Sequence, residues 1–376
     1  MKPVFGSGVV YDASRKNRQV QFQNMANGLR VSRLKGYVAK IERETRAFLK
    51  DWGESGEIDL LNALSELTIL TASRCLHGDD VRENLFREVS TLYHDLDHGV
   101  TPLTVFWPNA PTRAHAKRDA ARKEMVALFS KVIQARRDNP GVGGDGTDIL
   151  NIFMDMKYKD GTAVTNDEVT GLLIALLFAG QHTSCITSTW TSLFIAANPE
   201  IMKRVVVEQD ELIGGDRSAP LDYDKVNEME LLHNCMREAL RLCPPLVLLM
   251  RYAVKDFTVT ANGKTFTVPQ GDMVLVSPSV GMRVQQVFKD PNCFDPDRFA
   301  EGREEHKIPY AYLGFGGGMH SCMGQNFAFV QVKTILSILF REYEIEMISD
   351  KFPEQDFEAM VVGPKGDCRV RYRKRH

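Results

Sequence analysis

Apolar residues return every three to four positions through the first two-thirds of the chain. That period predicts helices over 31–52, 60–76, 82–97, 114–139, 148–158, 166–197, 199–213 and 227–242. Within the longest, residues 172–178 are apolar on every side, as in a helix threaded through a protein's centre. Thr165 and Glu168 form a capping box at its start. Pro102, Pro108 and Pro111 mark a helix break, 141–146 reads as a flexible Gly-rich loop, and Pro244-Pro245 stops the helix before it. From 251 to 276 the pattern turns to strand, with 257–260 and 264–268 flanking Ala261-Asn262-Gly263, a hairpin signal. A long loop over 278–318 leads into a final periodic segment, 325–343.

This order predicts a mainly α fold with a small β-rich part, built as one unit over 1–376 without repeats or a low-complexity linker. Its expected parts are a helix-rich 13–245, a hairpin and loop region 246–313, and a Gly-Cys loop with its following helix, 314–348. Composition adds only exclusions. With 376 residues and a net charge of -2, nothing draws the chain to nucleic acid or an anionic surface. Its seven cysteines are scattered and show neither a CxxC pair nor zinc spacing, which points to free thiols. No signal peptide is visible, and the longest apolar run, 172–180, is too short to cross a bilayer.

The chemistry concentrates in Phe315-Gly316-Gly317-Gly318-Met319-His320-Ser321-Cys322-Met323-Gly324. Glycines let the main chain approach a flat, bulky cofactor, and a cysteine at a helix N-terminus sits where negative sulfur is favoured. The spacing Phe-Gly-x-Gly-x-His-x-Cys-x-Gly resembles the haem-thiolate loop of the cytochrome P450 family. That resemblance implies a P450 fold and a b-type haem whose iron takes Cys322 as its axial thiolate, with Phe315, Gly316 and Gly324 shaping the loop. Glu238 and Arg241, three residues apart among apolar neighbours, are read as a buried pair needing a further partner. With Arg298 they resemble the family's Glu-x-x-Arg plus Arg scaffold, a structural network.

In the long helix the apolar run breaks at Ala179-Gly180-Gln181-His182-Thr183-Ser184. A Thr hydroxyl can bond the carbonyl four residues back and open the helix beside a Gly. Together with Trp190, this sequence resembles the sterol 14α-demethylases specifically, which place His where most P450s have an acid. The resemblance implies that Thr183 and His182 serve oxygen activation, with Asp97, in Leu92–Pro102, as the outer end of a proton relay. Asp97 reads equally well as a solvated acid near a helix end. Phe5-Gly6-Ser7-Gly8-Val9-Val10-Tyr11-Asp12 resembles the family's substrate-entrance loop. By that likeness Phe5, Val9 and Ala179 line the sterol cavity, while Tyr11, His320 and Arg251 reach the haem propionates. Gln19 and Phe22 fall where relatives supply a basic propionate contact, and Arg18 is the expected substitute.

The implied activity is a haem-thiolate monooxygenase. It removes the 14α-methyl group of a sterol precursor by successive oxidations, each using O2 and two electrons, until the methyl leaves as formate. Alternatives are a P450 acting on another lipid and a haem-binding inactive fragment. No nucleotide fingerprint is present, since Gly141-x-Gly143-Gly144 follows a helix, so an NADPH-cytochrome P450 reductase is the expected electron donor. The resemblance places the enzyme on the cytosolic face of the endoplasmic reticulum membrane. It also leads to the expectation of a truncated isoform or gene-model fragment, because the family's anchor and first β-strands find no counterpart here.

Overall fold

The computed structural model describes all residues except Pro140, Gly144, Asp145 and Glu304, and the main chain alone at Pro102 and Val105. The expected Gly-rich loop thus falls partly outside the described residues. Helices α1 (Lys2–Phe5), α2 (Arg15–Gly28), α3 (Val31–Leu49), α4 (Leu60–Leu76), α5 (Asp79–Asn84) and α6 (Phe86–His98) come first. They are followed by α7 (Pro102–Phe106), α8 (Arg113–Asp138), α9 (Ile149–Met154), α10 (Asn166–Ala196), α11 (Pro199–Leu212), α12 (Tyr223–Glu228) and α13 (Glu230–Leu242). Short α14 (Pro278–Gly281) and long α15 (Gln325–Glu342) complete the set. The strands are β1 (Ser55–Asp59), β2 (Leu249–Tyr252), β3 (Phe257–Ala261), β4 (Lys264–Val268), β5 (Met273–Val276), β6 (Tyr343–Met347), β7 (Glu354–Gln355), β8 (Pro364–Lys365) and β9 (Arg369–Lys374).

Helix α10 is the axis of the molecule. Its capping box forms as expected, with the Glu168 N–H donating to Thr165 Oγ1 at 3.2 Å and the Thr165 N–H to Glu168 Oε2 at 2.9 Å. It packs along α4, α8, α13 and α15, which bury its apolar residues in one continuous core. By length and composition α10 could cross a membrane, which corrects the expectation that nothing here is long enough. Its apolar residues, however, mostly face other helices, as those of a soluble protein's central helix do.

Where the elements depart from the apolar period, side-chain charges account for the difference. The expected helix 82–97 is two helices, because an ion cluster fixes the first: Arg74 pairs Glu44, Asp79 and Glu83, and Arg82 pairs Glu44 at 2.7 Å. The expected helix 227–242 restarts at Glu230, since the Glu208 carboxylate of α11 accepts the N–H groups of Leu231 and Leu232 at 2.5 and 3.1 Å. Residues 148–158 keep helix only to Met154; a turn then folds the chain back, with the Tyr158 N–H donating to Thr162 O. Helix α2 was hidden because only Val20, Gln21, Met25 and Gly28 of its fourteen residues are buried.

The hairpin formed where expected. Ala261 pairs Lys264, and Asn262 (φ 50°) with Gly263 (φ 73°) supplies the left-handed turn. Sequence had not shown the three-stranded antiparallel sheet β1-β9-β6, whose outer strands lie nearly 300 residues apart and meet only through the C-terminal strand.

Candidate active site

Two stretches carry apolar or reactive groups that the core does not cover. The first is one stripe of α10. Most of the helix is buried, yet Ala179 is exposed and Leu176, Gly180, His182 and Thr183 are half-exposed. A Cβ built on Gly180 would meet no atom within 4 Å. Thr183 Oγ1 donates to Ala179 O at 2.8 Å, so the hydroxyl is turned along the helix at the open stripe. Beside it, His182 Nε2 lies 3.0 Å from Asp97 Oδ1 of α6, with both side chains about one-third exposed.

The second stretch is the cysteine loop. Gly316 (φ 72°) and Gly318 (φ 67°) take the left-handed turn that a side chain would strain. The Cys322 N–H donates to Phe315 O at 2.9 Å, closing the loop just before α15. The residue as a whole is exposed. Packing around the rest of the residue pushes its thiol up from the usual cysteine value, while the N–H groups of Gly324 and Gln325 pull it down. The two N–H groups are the donors the sequence leads one to expect at a helix N-terminus, and they act against the burial. Phe315 stacks on Phe329 of α15 at 5.0 Å, anchoring the loop's first residue.

Other residues expected at the site are open as well. Leu246, Leu248 and Met250 are exposed beside Arg251, whose guanidinium donates only to Met250 O among the described residues. His320 is exposed, and Tyr11 is 71% exposed with its ring on Phe5 at 6.1 Å. Arg18 does not join them. Its Nε and Nη2 donate to the carbonyls of Val10, Tyr11 and Ala13, which ties it to the loop. Phe5 meets Phe178 of α10 edge-on at 5.7 Å. Val9 is buried, and a Cβ on Gly171 would fall 2.9 Å from its Cγ2. In this structure Val9 thus faces α10 and not an open cavity.

The scaffold residues come together fully. Glu238 accepts from Arg241 Nε (2.7 Å) and Nη2 (2.9 Å), from Arg298 Nε (3.0 Å) and from the Asp295 N–H (3.0 Å). The remaining guanidinium donors reach the carbonyls of Met282, Pro291, Lys289 and Asp290. All three side chains are buried.

The sequence profile of cytochrome P450 matches residues 2–368. The chain belongs to the cytochrome P450 family. Sterol 14-demethylase of Arabidopsis thaliana is 48% identical over 99% of this chain and 76% of that protein. Obtusifoliol 14-alpha demethylase of Triticum aestivum is 46% identical over 99% and 82%, and lanosterol 14-alpha demethylase of Homo sapiens 40% over 99% and 72%. The solved structure of a retinoic acid-bound cyanobacterial CYP120A1 shares the fold, with a TM-score of 0.86 over 99% of this chain and 82% of that one at 24% identity.

The P450 family implies a haem, and the residues present fit one. A flat apolar ring system needs uncovered apolar walls, which α10 and the segment 246–250 supply. Its metal needs a thiolate donor, and Cys322 is exposed with two N–H groups aimed at its sulfur. Its two carboxylates need donors, and Arg251, His320 and Tyr11 lack side-chain partners among the described residues. Sequence reasoning missed two residues that place the entrance loop. Gly171 is required because a Cβ there would fall 1.9 Å from Phe5 O. Gln21 is buried at the centre of that loop's hydrogen bonds.

Proposed function

We propose that this P450 removes the 14α-methyl group of a sterol by successive O2-dependent oxidations, drawing electrons from an NADPH-cytochrome P450 reductase. The observation that carries the reading is the His182–Asp97 contact at 3.0 Å, one residue from Thr183 on the open stripe of α10. The names of the relatives support the substrate class: those similar over nearly the whole chain are sterol, obtusifoliol and lanosterol 14-demethylases. When bound, haem supplies the oxygen activation and the C–H oxidation.

The chain's own residues supply the rest. Cys322 would hold the haem iron through its sulfur, with the N–H groups of Gly324 and Gln325 directed at it. Tyr11, His320 and Arg251 would bind the propionates and so orient the ring. Glu238, Arg241 and Arg298 brace the segment leading into the cysteine loop. Asp97, open to solvent, takes a proton and passes it to His182 Nε2, and the imidazole carries it to the stripe where Thr183 Oγ1 stands. Ala179, the most open residue of that stripe, leaves room for the sterol's α face, with Phe5 at its edge. A sterol is nearly insoluble, so residence on the cytosolic face of the endoplasmic reticulum membrane follows from the substrate and belongs to the same proposal.

An optical titration of the haem-loaded ferric protein with a panel of 14α-methylsterols tests it. A saturable shift from low to high spin is expected. A thiolate spectrum that no sterol moves would overturn the substrate assignment while leaving the haem assignment in place.

A further inference from the structure

The entrance loop contains a backbone conformation that its sequence does not favour. Val10 has φ 45°, a region costly for a β-branched residue and not explained by the neighbouring Gly8. Such strain persists only where the surroundings over-determine the conformation. Here side chains of α2 do so, and the one that takes the Val10 N–H is fully buried. Gln21 of α2 is completely buried, and its Oε1 accepts the Val10 N–H at 2.9 Å. Its Nε2 donates to Gly8 O at 2.7 Å and to Tyr158 Oη at 3.0 Å. The Tyr158 hydroxyl in turn donates to Glu168 Oε1 at 2.7 Å. Glu168 is the capping residue of α10, so the chain of bonds runs from the entrance loop to the start of the helix that carries His182 and Thr183.

Every polar atom of the Gln21 amide is used, and each bond has one direction. The acceptor must face Val10 and the donor must face Gly8, so a carboxylate or an apolar side chain cannot reproduce the set. Arg18, one turn earlier on α2, clamps the following carbonyls of Val10, Tyr11 and Ala13. Between them these two residues hold the segment 8–13 on α2: Arg18 takes the Val10 carbonyl, and Gln21 takes the Val10 N–H from its buried side. From that segment Tyr11 extends its ring over Phe5, which meets Phe178 beside the open stripe.

We propose that Gln21 is a positioning residue for substrate and haem: its amide holds the Val10 N–H in the left-handed conformation and thereby places Tyr11 at the open face, its ring against the buried Phe5. The proposal rests on the function inferred above only for the identity of the sterol. A ligand-independent readout is therefore paired with a ligand-dependent one. In haem-loaded protein, amide hydrogen exchange should show the Val10 N–H protected, and Gln21→Leu should cut that protection about 100-fold. The same variant should keep the reduced-CO signature of thiolate-bound haem and raise the sterol spin-shift Kd about tenfold. Val10→Gly, which removes the strain, should bring the Kd of the Gln21→Leu protein back to within about threefold of the parent.

A structural role of α2 alone predicts no such rescue. Unchanged protection in Gln21→Leu, or a loss of sterol affinity that Val10→Gly leaves untouched, would overturn the proposal. Tyr158→Phe is the second variant, usable should Gln21→Leu not accumulate. It removes only the outer link and should leave Val10 protected; loss of protection there would assign the loop to Tyr158 and overturn the role of Gln21. A parent protein that shows the Val10 protection but no spin shift with any sterol would count against the substrate reading and not against Gln21.

Discussion

The Glu238 cluster and the open face around Cys322 are both rich in polar groups, but they are finished to different degrees. In the cluster one carboxylate and two guanidiniums, all buried, are bonded to one another and to surrounding backbone groups. At the open face a thiol, an imidazole, a guanidinium and a phenol hydroxyl stand without side-chain hydrogen-bond partners among the described residues, while apolar side chains go uncovered. Burial of charge is tolerated only when every partner is supplied, so the first region is complete by itself and serves the fold. The second is complete only with something bound. This contrast separates scaffold from site more clearly than residue type does, since Arg241 and Arg251 are the same side chain in opposite roles.

The largest effect should come from the incomplete side. Cys322→Ala removes the thiol of the open face, and is expected to abolish the reduced-CO signature of thiolate-bound haem and all turnover. Far-ultraviolet circular dichroism should be unchanged, because the sulfur supports no other part of the fold. A retained thiolate signature would move the ligand elsewhere and erase the distinction drawn between the regions.

Glu238→Ala is the converse. It leaves two buried guanidiniums facing each other without their shared anion, which should cost about 3–5 kcal/mol in denaturant unfolding. Glu238→Gln keeps the acceptor for one arginine and should lose less. A cost for Glu238→Ala below about 1 kcal/mol, the level of an exposed pair, would show that the cluster is not a scaffold.

His182 lies on the boundary between the two, half-exposed and bonded to Asp97. His182→Ala should lower turnover about 100-fold, as removal of a proton-transfer group does, with sterol Kd little changed. His182→Gln, able to hydrogen-bond Asp97 but not to carry a proton, should bind sterol normally and remain as slow. Parallel losses in Kd and turnover would make His182 a packing residue and push the boundary back into the scaffold.

The same contrast explains what could be read from the sequence. The Cys322 loop and the Glu238, Arg241 and Arg298 set were legible because each lies in a short motif with fixed spacing. The His182–Asp97 pairing was legible only through family resemblance, since 85 residues separate the two. Gln21 left no signal: a glutamine in a polar stretch looks solvated, and only the strained φ of Val10 shows what it holds. Breaks at Leu85 and Met229 were invisible for a related reason, being set by carboxylates of other helices while the apolar period runs through them. The grip of Arg18 on the loop was invisible as well, because its carbonyl acceptors come from backbone that no local pattern reveals.

The smallest effect concerns Lys333, on the helix that begins at the open face and ends in the core. Its amine is 3% exposed and donates to Val226 O at 2.5 Å; burial pushes its pKa down to about 8, against the pull of Glu208. Unfolded, this lysine keeps its proton up to about pH 10.4. Between those values the unfolded chain therefore binds more protons, so this group makes stability rise as the pH goes from 8 to 10, by on the order of 2 kcal/mol at most. Buried thiols such as Cys243, pushed up to about 12, act in the opposite sense over the same range, which hides the lysine in a single curve. The measurement is thus a difference: unfolding free energy at pH 8 and pH 10 for the parent and for Lys333→Met. The parent should gain relative to the variant as the pH rises. Parallel curves would mean that the ammonium is as well solvated in the fold as outside it, and that the core end of α15 is less complete than its bonds suggest.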